Sequence, residues 1–322
     1  MRTVLKVSGI LLLALLLVGA GFLGWASVAT NQTLGRTFDT HTIDFPTPFP
    51  LTAEELAELG MTADPDNAVA RERAYERGRH MVQARYVCGE CHGADFGGGV
   101  MVDAFPIGRL LGPNLTLGSG SRTLEYTPAD WDRIVRHGVR PDGTPTVMPS
   151  EDFLLMSDQE LSDIIVYIRG QPPVDSDVPP ISLGPLGRIL VATGQIHLSA
   201  DLVVSHAASH AALPPASAVT VEFGRHLAGV CTGCHGAELT GGAIAGGDPS
   251  WVPARNLTPH ETGLAGWTYD DFVAAMREAT RPDGTAIQAP MTFVTPAAQI
   301  MTEVELQALW LYLQSLAPLP AR

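Results

Sequence analysis

The chain is poor in cysteine, in charge and in basic residues, and each shortage excludes a class of protein. Four cysteines among 322 residues are too few for a scaffold held by disulfides. Only 17 % of the residues are charged, and 34 acids outnumber 20 bases, the reverse of a phosphate-binding surface. We therefore expect no nucleic-acid partner. With 45 % hydrophobic residues the chain can build packed cores, which excludes global disorder.

Long apolar runs are scarce as well, and the one that could span a membrane lies near the N-terminus. Residues 7–30 carry no charge, and Arg2 and Lys6 precede them, which favours a cytoplasmic N-terminus. A cleaved signal peptide is the alternative, with a cleavage site at residues 27–29, although its apolar core is usually only ~7–15 residues long. Either reading exports the remainder, and we expect an anchor in the inner (cytoplasmic) membrane with the domains in the periplasm or on the outer face.

An internal repeat organises the exported part. Cys88-Gly-Glu-Cys-His-Gly-Ala-Asp recurs from Cys231 as Cys-Thr-Gly-Cys-His-Gly-Ala-Glu. Further matched pairs keep the same order: Asn114 and Asn256, Arg140 and Arg281, Met148 and Met291, Glu160 and Glu305, Tyr167 and Tyr312. Two homologous domains follow. The predicted division is an anchor at 1–30, a lead segment at 31–69, domains at 70–172 and 218–322, and a linker at 173–217.

Each domain is predicted to be helical. Capping boxes at 157–160 and 302–305 open the last helices, and apolar residues follow them at helical spacing. Earlier helices are predicted to begin at Thr127 and Thr268, and others lead into the cysteines at 76–87 and 222–230. Strand patterns are scarce, and the proline-rich linker is expected to wrap around the domains without folding alone.

Both repeats contain Cys-x-x-Cys-His, the spacing of c-type haem attachment. The two thiols can add to the vinyl groups of one haem, and the adjacent imidazole then ligates the iron. A thioredoxin-like redox pair would need strand patterns that are missing, and a histidine directly after the second cysteine does not usually reach the same zinc ion. We predict two covalently attached haem c groups, one held by Cys88, Cys91 and His92 and the other by Cys231, Cys234 and His235.

The sixth iron ligand decides the chemistry of each haem. A methionine raises the potential and fills the coordination sphere, whereas a second histidine lowers the potential and an open position permits peroxide chemistry. Met148 and Met291 recur in matched loops after Pro-Asp-Gly-Thr, while Met156 and Met301 precede the last helices, where core packing is the usual role. The predicted iron ligands are therefore His92 and Met148, and His235 and Met291.

These motifs together resemble the membrane-anchored multihaem cytochrome c subunits that serve periplasmic dehydrogenases. The resemblance rests on the Cys-x-x-Cys-His-Gly sites, the Asn-Leu-Thr segments, residues 266–272, the Pro-Asp-Gly-Thr turns and the last helices, and it covers 70–172 and 218–318. It implies an all-α fold of two tandem class I cytochrome c-like domains after the N-terminal helix. Such subunits often carry three haems, whereas this chain has two attachment motifs, and Met291 is followed by threonine where Met148 is followed by proline.

The resemblance implies an electron carrier and not an enzyme. Electrons would pass one at a time between a periplasmic or membrane redox enzyme and the respiratory chain. The expected partners are a dehydrogenase subunit, an oxidase or a quinol-oxidising complex. A dihaem peroxidase is the enzymatic alternative, which the matched methionine pair disfavours. A cytochrome subunit of a terminal oxidase or nitric oxide reductase is the other alternative, and the sequence does not separate it from a dehydrogenase partner.

Several histidines lie outside the attachment motifs. His80 and His226 recur in Gly-Arg-His before each motif, and a packing or surface role is predicted for both. His137, His206, His210 and His260 lack repeat partners, which argues against ligand roles. The Asn-Leu-Thr segments at 114–116 and 256–258 are interpreted as structural parts of the haem-site loops.

Overall fold

The computed structural model describes residues 2–244, 247–248 and 250–322. It begins with α1 (Arg2–Leu34), which within those residues is the one helix long and apolar enough to cross a membrane. Most of α1 is exposed, but Ala26 and Thr30 near its C-terminal end are buried. The end of the helix is therefore held by the rest of the chain, as described below.

The first repeat folds around one hydrophobic core. Its helices are α2 (Ala53–Glu58), α3 (Ala68–His80), α4 (Cys88–His92), α5 (Pro128–His137) and α6 (Asp158–Arg169), with a π-turn at Met81–Arg85 and a 3₁₀ turn at Ser150–Phe153. The helix predicted at 76–87 thus divides into the end of α3 and the π-turn. Capping boxes at Thr127 and Ser157 open α5 and α6, as predicted from the sequence.

The second repeat builds a matching set of helices. They are α9 (Val221–Leu227), α10 (Thr232–His235), α11 (Tyr269–Glu278), α12 (Thr295–Ile300) and α13 (Glu303–Ser315), with 3₁₀ turns at Ala228–Cys231 and Met291–Phe293. Thr268 and Thr302 form the capping boxes of α11 and α13. The mostly helical fold class is confirmed.

In each repeat, the helix that precedes the attachment motif crosses the last helix at a glycine. A Cβ atom at Gly78 of α3 would collide with the carbonyl of Asp163 on α6 and would lie 2.8 Å from the Cβ of Tyr167. Gly224 of α9 meets Ala308 and Tyr312 of α13 in the same way, with its added Cβ 2.7 Å from that of Tyr312. The repeated Gly-Arg-His and the repeated tyrosine thus mark one backbone crossing that both domains share.

The linker is more ordered than its sequence predicts. It supplies β3 (Ser182–Leu183), which pairs antiparallel with β2 (Gly108–Gly112), itself paired with β1 (Gly99–Ala104). It also forms α7 (Pro185–Ala192) and α8 (Ser199–Leu202). The linker therefore folds onto the first domain as an added strand and two short helices, elements that the sequence did not predict.

The linker also receives the end of the N-terminal helix. α1 packs against α7, and the Thr30 hydroxyl donates a hydrogen bond to the Arg188 carbonyl at 2.7 Å. Arg36, just beyond α1, pairs with Asp201 of α8 at 2.6 Å. The lead segment then places Phe45 in the core of the first domain. Several contacts with the linker thus fix the direction in which α1 projects from the first domain.

The two domains meet through reciprocal contacts between repeat-related residues. His80 Nε2 of the first domain lies 2.9 Å from Glu305 of the second, and His226 Nε2 of the second lies 2.8 Å from Glu160 of the first. Arg85 reaches both carboxylates, with Nε at 2.5 Å from Glu305 and Nη1 at 3.2 Å from Glu160. The packing role predicted for the two histidines is thus a contact between domains.

Candidate functional site

The second attachment motif opens into a cavity of about 480 Å³. Cys231, Cys234 and His235 line it, and Met291 lines it as well. The other lining side chains are mostly apolar and come from α11, α13 and the loops before and between them, including Trp267, Phe272, Met276, Leu309 and Leu313. A cavity of this size falls within the ~300–1,000 Å³ typical of cofactor sites.

The histidine of each motif is held by a backbone carbonyl. His92 Nδ1 lies 3.0 Å from the Pro113 carbonyl, and His235 Nδ1 lies 2.6 Å from the Arg255 carbonyl. A protonated Nδ1 that donates to a carbonyl leaves Nε2 as the free ligand atom and fixes the ring orientation. Burial lowers the pKa of both rings, so both are neutral and able to bind a metal at pH 7. These matched contacts fit an axial imidazole.

The cysteines do not have the environment of a redox-active dithiol. Burial raises the pKa of Cys88 and of Cys231 to about 12. Burial also raises the pKa of Cys91 and Cys234, and the nearby acids Glu90 and Asp152 add to the effect. Reactive Cys-x-x-Cys pairs have a lowered thiol pKa instead. The sites therefore fit covalent attachment of a cofactor better than disulfide exchange.

The two candidate methionines of each domain lie in different surroundings. Met156 and Met301 are buried in the cores, and their carbonyls accept hydrogen bonds from Arg136 and Arg277 at 3.0 Å and 2.8 Å. Met148 packs, partly buried, at the edge of the first core, and its carbonyl accepts from the Ser199 hydroxyl of the linker.

The Asn-Leu-Thr segments hold the chain that leaves each last helix. Asn114 Nδ2 and the Thr116 hydroxyl both reach the Val174 carbonyl, at 2.7 Å and 3.4 Å. In the second domain, Asn256 and Thr258 reach the Leu319 carbonyl at 2.7 Å and 2.8 Å. The same asparagine-containing loop follows Pro113 and Arg255, the carbonyl partners of the motif histidines, so these segments are structural.

Each of the two domains matches a known protein family. Residues 73–168 match the family described as cytochrome c oxidase, cbb3-type, subunit III, and residues 221–317 match the family described as cytochrome c. The chain is a dihaem cytochrome c. Each of its two cytochrome c domains carries one covalently bound haem c, in agreement with the two attachment motifs and with the cavity beside the second.

The dihaem cytochrome is similar to cytochrome subunits of several dehydrogenases. It is 26 % identical to the cytochrome c subunit of a quinone-dependent alcohol dehydrogenase from Gluconacetobacter polyoxogenes, over 81 % of this chain and 59 % of that protein. It is 28 % identical to the gluconate 2-dehydrogenase cytochrome c subunit of Pantoea cypripedii, over 81 % and 63 %. Identity to the fructose dehydrogenase cytochrome subunit of Gluconobacter japonicus is 22 %, over 78 % and 54 %. The cytochrome thus spans about three fifths of the length of the relatives it matches.

Segments next to the two haem sites of the cytochrome meet across the domain interface. The 3₁₀ turn at Ser150–Phe153, just after Met148, contacts the second attachment motif, and the carboxylate of Asp152 lies against Gly233 between its cysteines. In return, α12, which follows Met291, packs on the π-turn that precedes Cys88. Each methionine loop is thus joined to the segment around the other domain's attachment motif.

Proposed function

We propose that this cytochrome is the electron-transferring subunit of a periplasmic dehydrogenase, passing electrons one at a time toward the respiratory chain. The contacts that join the segment after each proposed methionine ligand to the other domain's attachment segment carry the proposal, because they tie the two haem domains into a single relay. The similarity to dehydrogenase cytochrome subunits supports a dehydrogenase as the electron donor. A bound haem c would supply reversible one-electron chemistry at each site.

Four side chains are proposed as the iron ligands: His92 and Met148 in the first domain, His235 and Met291 in the second. The carbonyl contacts of the two histidines support their part in this set. Met291 is supported by its place on the cavity that His235 lines, and Met148 by its matched place in the first repeat. The linker residue Ser199 would position the Met148 loop through its hydrogen bond to the Met148 carbonyl.

The proposed location is the outer face of the inner membrane, with an uncleaved N-terminal helix and a cytoplasmic N-terminus. The burial of Ala26 and Thr30 against the linker supports retention of the helix, because cleavage after Ala29 would remove part of this contact. The basic residues Arg2 and Lys6 support the orientation.

Purification of the intact complex tests the function. The full-length chain, carrying a C-terminal affinity tag, would be solubilised in mild detergent from the membranes of the cells that make it. We expect a dehydrogenase catalytic subunit to co-purify, and its substrate to reduce both haems. Co-purification of oxidase or nitric oxide reductase subunits instead would contradict the dehydrogenase assignment.

A spectroscopic measurement on the same preparation tests the carrier assignment. Two low-spin haems with methionine-to-iron charge-transfer absorption in the oxidised state are expected. A high-spin haem together with rapid turnover of hydrogen peroxide would show a peroxidase instead.

A further inference from the structure

Four side chains from three separate parts of the chain converge beside the first domain. His41 comes from the lead segment, Asp132 and His137 from α5, and His210 from the linker. One nitrogen or oxygen atom from each lies within 4.8 Å of those of the other three. His137 and Asp132 are buried, with 0 % and 1 % of their side-chain surfaces exposed, and His210 and His41 are 8 % and 10 % exposed.

The distances between these atoms suit tetrahedral coordination of one metal ion. Asp132 Oδ2 lies 3.0 Å from His41 Nε2 and 3.7 Å from His137 Nε2, and the Nε2 atoms of His137 and His210 lie 3.1 Å apart. Four ligands at the usual zinc bond lengths of 2.0–2.1 Å are ~3.3 Å from one another. The rings of His41 and His210 stand edge-on to that of His137, at 87° and 66°.

Hydrogen bonds on the far side of each ring leave all three Nε2 atoms without a proton. His41 Nδ1 lies 2.6 Å from the Ala208 carbonyl, and His210 Nδ1 lies 3.1 Å from the Leu154 carbonyl, so both Nδ1 atoms donate. His206 Nε2 donates to the Ala200 carbonyl at 3.0 Å, which leaves its Nδ1 to accept from His137 Nδ1 at 3.2 Å. In neutral rings, each Nε2 therefore presents a lone pair to the centre. His41 and His210 thus have the arrangement of metal-binding histidines whose outer nitrogen is held by a carbonyl, and His206 replaces the carbonyl for His137.

Without a cation, the centre is electrostatically unfavourable. Two nitrogen lone pairs face each other between His137 and His210. Asp132 Oδ2 and His41 Nε2 lie 3.0 Å apart but form no hydrogen bond with each other or with another described residue.

The charges around the centre also favour a cation. Arg136 is fully buried and is shared between two carboxylates, with Nη2 at 2.6 Å from Asp132 Oδ1 and Nη1 at 2.8 Å from Asp158. One arginine against two acids leaves one negative charge uncompensated. Because Arg136 occupies Oδ1, Oδ2 is the oxygen of Asp132 that is left for His41 and His137, and His210 Nε2 lies 3.8 Å from Oδ1.

We propose that His41, Asp132, His137 and His210 bind a zinc ion that fastens the lead segment and the linker to the first haem domain. Four protein ligands complete a tetrahedral zinc shell and leave no position for a substrate, so the site is structural. The second domain has no counterpart, because Val273 and Glu278 stand at the repeat positions of Asp132 and His137. The site therefore occurs only where the lead segment, which follows the N-terminal helix, meets the first domain. The proposal does not depend on the proposed function.

The test uses the full-length haem-loaded protein in detergent, purified on a tag without histidine. After dialysis against EDTA, the protein is titrated with ZnCl₂ by calorimetry, and zinc and iron are then counted by mass spectrometry of the desalted sample. We expect one tightly bound zinc for every two irons. His41→Gln and His210→Gln should each weaken binding by about 100-fold, and His206→Gln, which alters only the partner of His137, by about 10-fold.

His197→Gln is the matched control, because His197 is an exposed histidine of the same linker outside the cluster. This variant should bind zinc like the unaltered protein. Zinc-edge X-ray absorption of the unaltered protein gives a result independent of variant folding, and should show three nitrogens and one oxygen in the first shell. The proposal would be overturned if the EDTA-treated protein bound no zinc on titration, or if all variants bound zinc with equal affinity. An X-ray absorption spectrum without histidine ligands would also overturn it.

Discussion

At the scale of single residues, the methionine ligands are the sharpest assignment to test. Met291→His should lower the midpoint potential of one haem by on the order of 0.2 V, a fraction of the ~0.8 V over which axial ligands set haem potentials. The cause is that a thioether stabilises the reduced iron more than an imidazole does. Met148→His should do the same to the other haem. A spectroelectrochemical titration resolves the two haems and should show one shifted and one unshifted potential in each variant.

Met301→Leu is the control for this experiment. Met301 is buried in the second core and exchange for a leucine of similar volume should cost less than ~1.5 kcal/mol, with both potentials retained. If Met301→Leu moved a potential and Met291→His did not, the ligand in the second domain would be Met301.

The residue scale also shows what a single sequence can predict about a site. The Cys-x-x-Cys-His motifs identify both haem sites because attachment depends on three residues that are adjacent in the chain. The contacts of His80 and His226 with glutamates of the other domain were not predictable in detail, because the partners are 225 and 66 residues apart in the sequence. The lack of repeat partners for His137 and His210 argued against ligand roles and gave no sign that they converge with His41.

At the scale of secondary-structure elements, the glycine crossings should control the stability of each domain. Gly224→Ala forces α9 away from the backbone of α13, and we expect it to destabilise the second domain by about 3 kcal/mol, at the upper end of the cost of overpacking. Unfolding in guanidinium chloride, followed by haem absorption, measures the change. The second haem's transition should move to lower denaturant concentration.

Gly284→Ala serves as the comparison for that experiment. Gly284 lies in an exposed turn where an added Cβ meets nothing within 4 Å, although its φ of +77° makes alanine strained there. It should cost only about 1 kcal/mol. A larger loss from Gly284→Ala than from Gly224→Ala would show that the helix crossing tolerates a side chain.

The elements themselves were largely predictable, for a physical reason. Capping boxes and helical spacing are local signals, so the starts of the helices after Thr127, Ser157, Thr268 and Thr302 agree with the sequence. The short strand Ser182–Leu183 and the helix Pro185–Ala192 were missed because the first is formed by pairing with β2 and the second by packing on α1. Their stability lies in tertiary contacts and not in their own sequence pattern.

At the scale of the whole molecule, acid should loosen the contact between the two haem domains. Burial by itself would raise the pKa of Glu305, but the hydrogen bond with His80 and the charge of Arg85 outweigh it and lower the pKa from 4.5 to about 2. A carboxylate with a lowered pKa stabilises the folded state above the pKa of its unfolded form. This contribution should therefore be complete at pH 7 and should be lost as the pH falls from about 4.5 toward 2. Small-angle scattering across this range should show the domains separating before the haem spectra change.

Arg85→Ala should produce the same loosening at neutral pH. It leaves Glu160 and Glu305 buried without their shared cation, which typically costs about 3 kcal/mol or more. Arg79→Ala is the matched control: Arg79 precedes Arg85 by six residues and pairs with Glu76 on the surface, where such pairs contribute at most ~1 kcal/mol. Scattering curves of Arg85→Ala that matched those of Arg79→Ala would show that the shared arginine does not hold the domains together.

The N-terminal helix should set where the whole molecule resides. In the full-length protein we expect the mature chain to retain residue 2 by mass spectrometry and to stay with the membrane pellet after carbonate extraction. Replacing residues 1–25 by a cleavable export signal should release a soluble dihaem protein, because the contacts of Ala26 and Thr30 with α7 are kept while the membrane-length segment is removed. A native chain that began near residue 30 and was already soluble would instead identify the segment as a signal peptide, and the contact of α1 with α7 would then be absent from the mature protein.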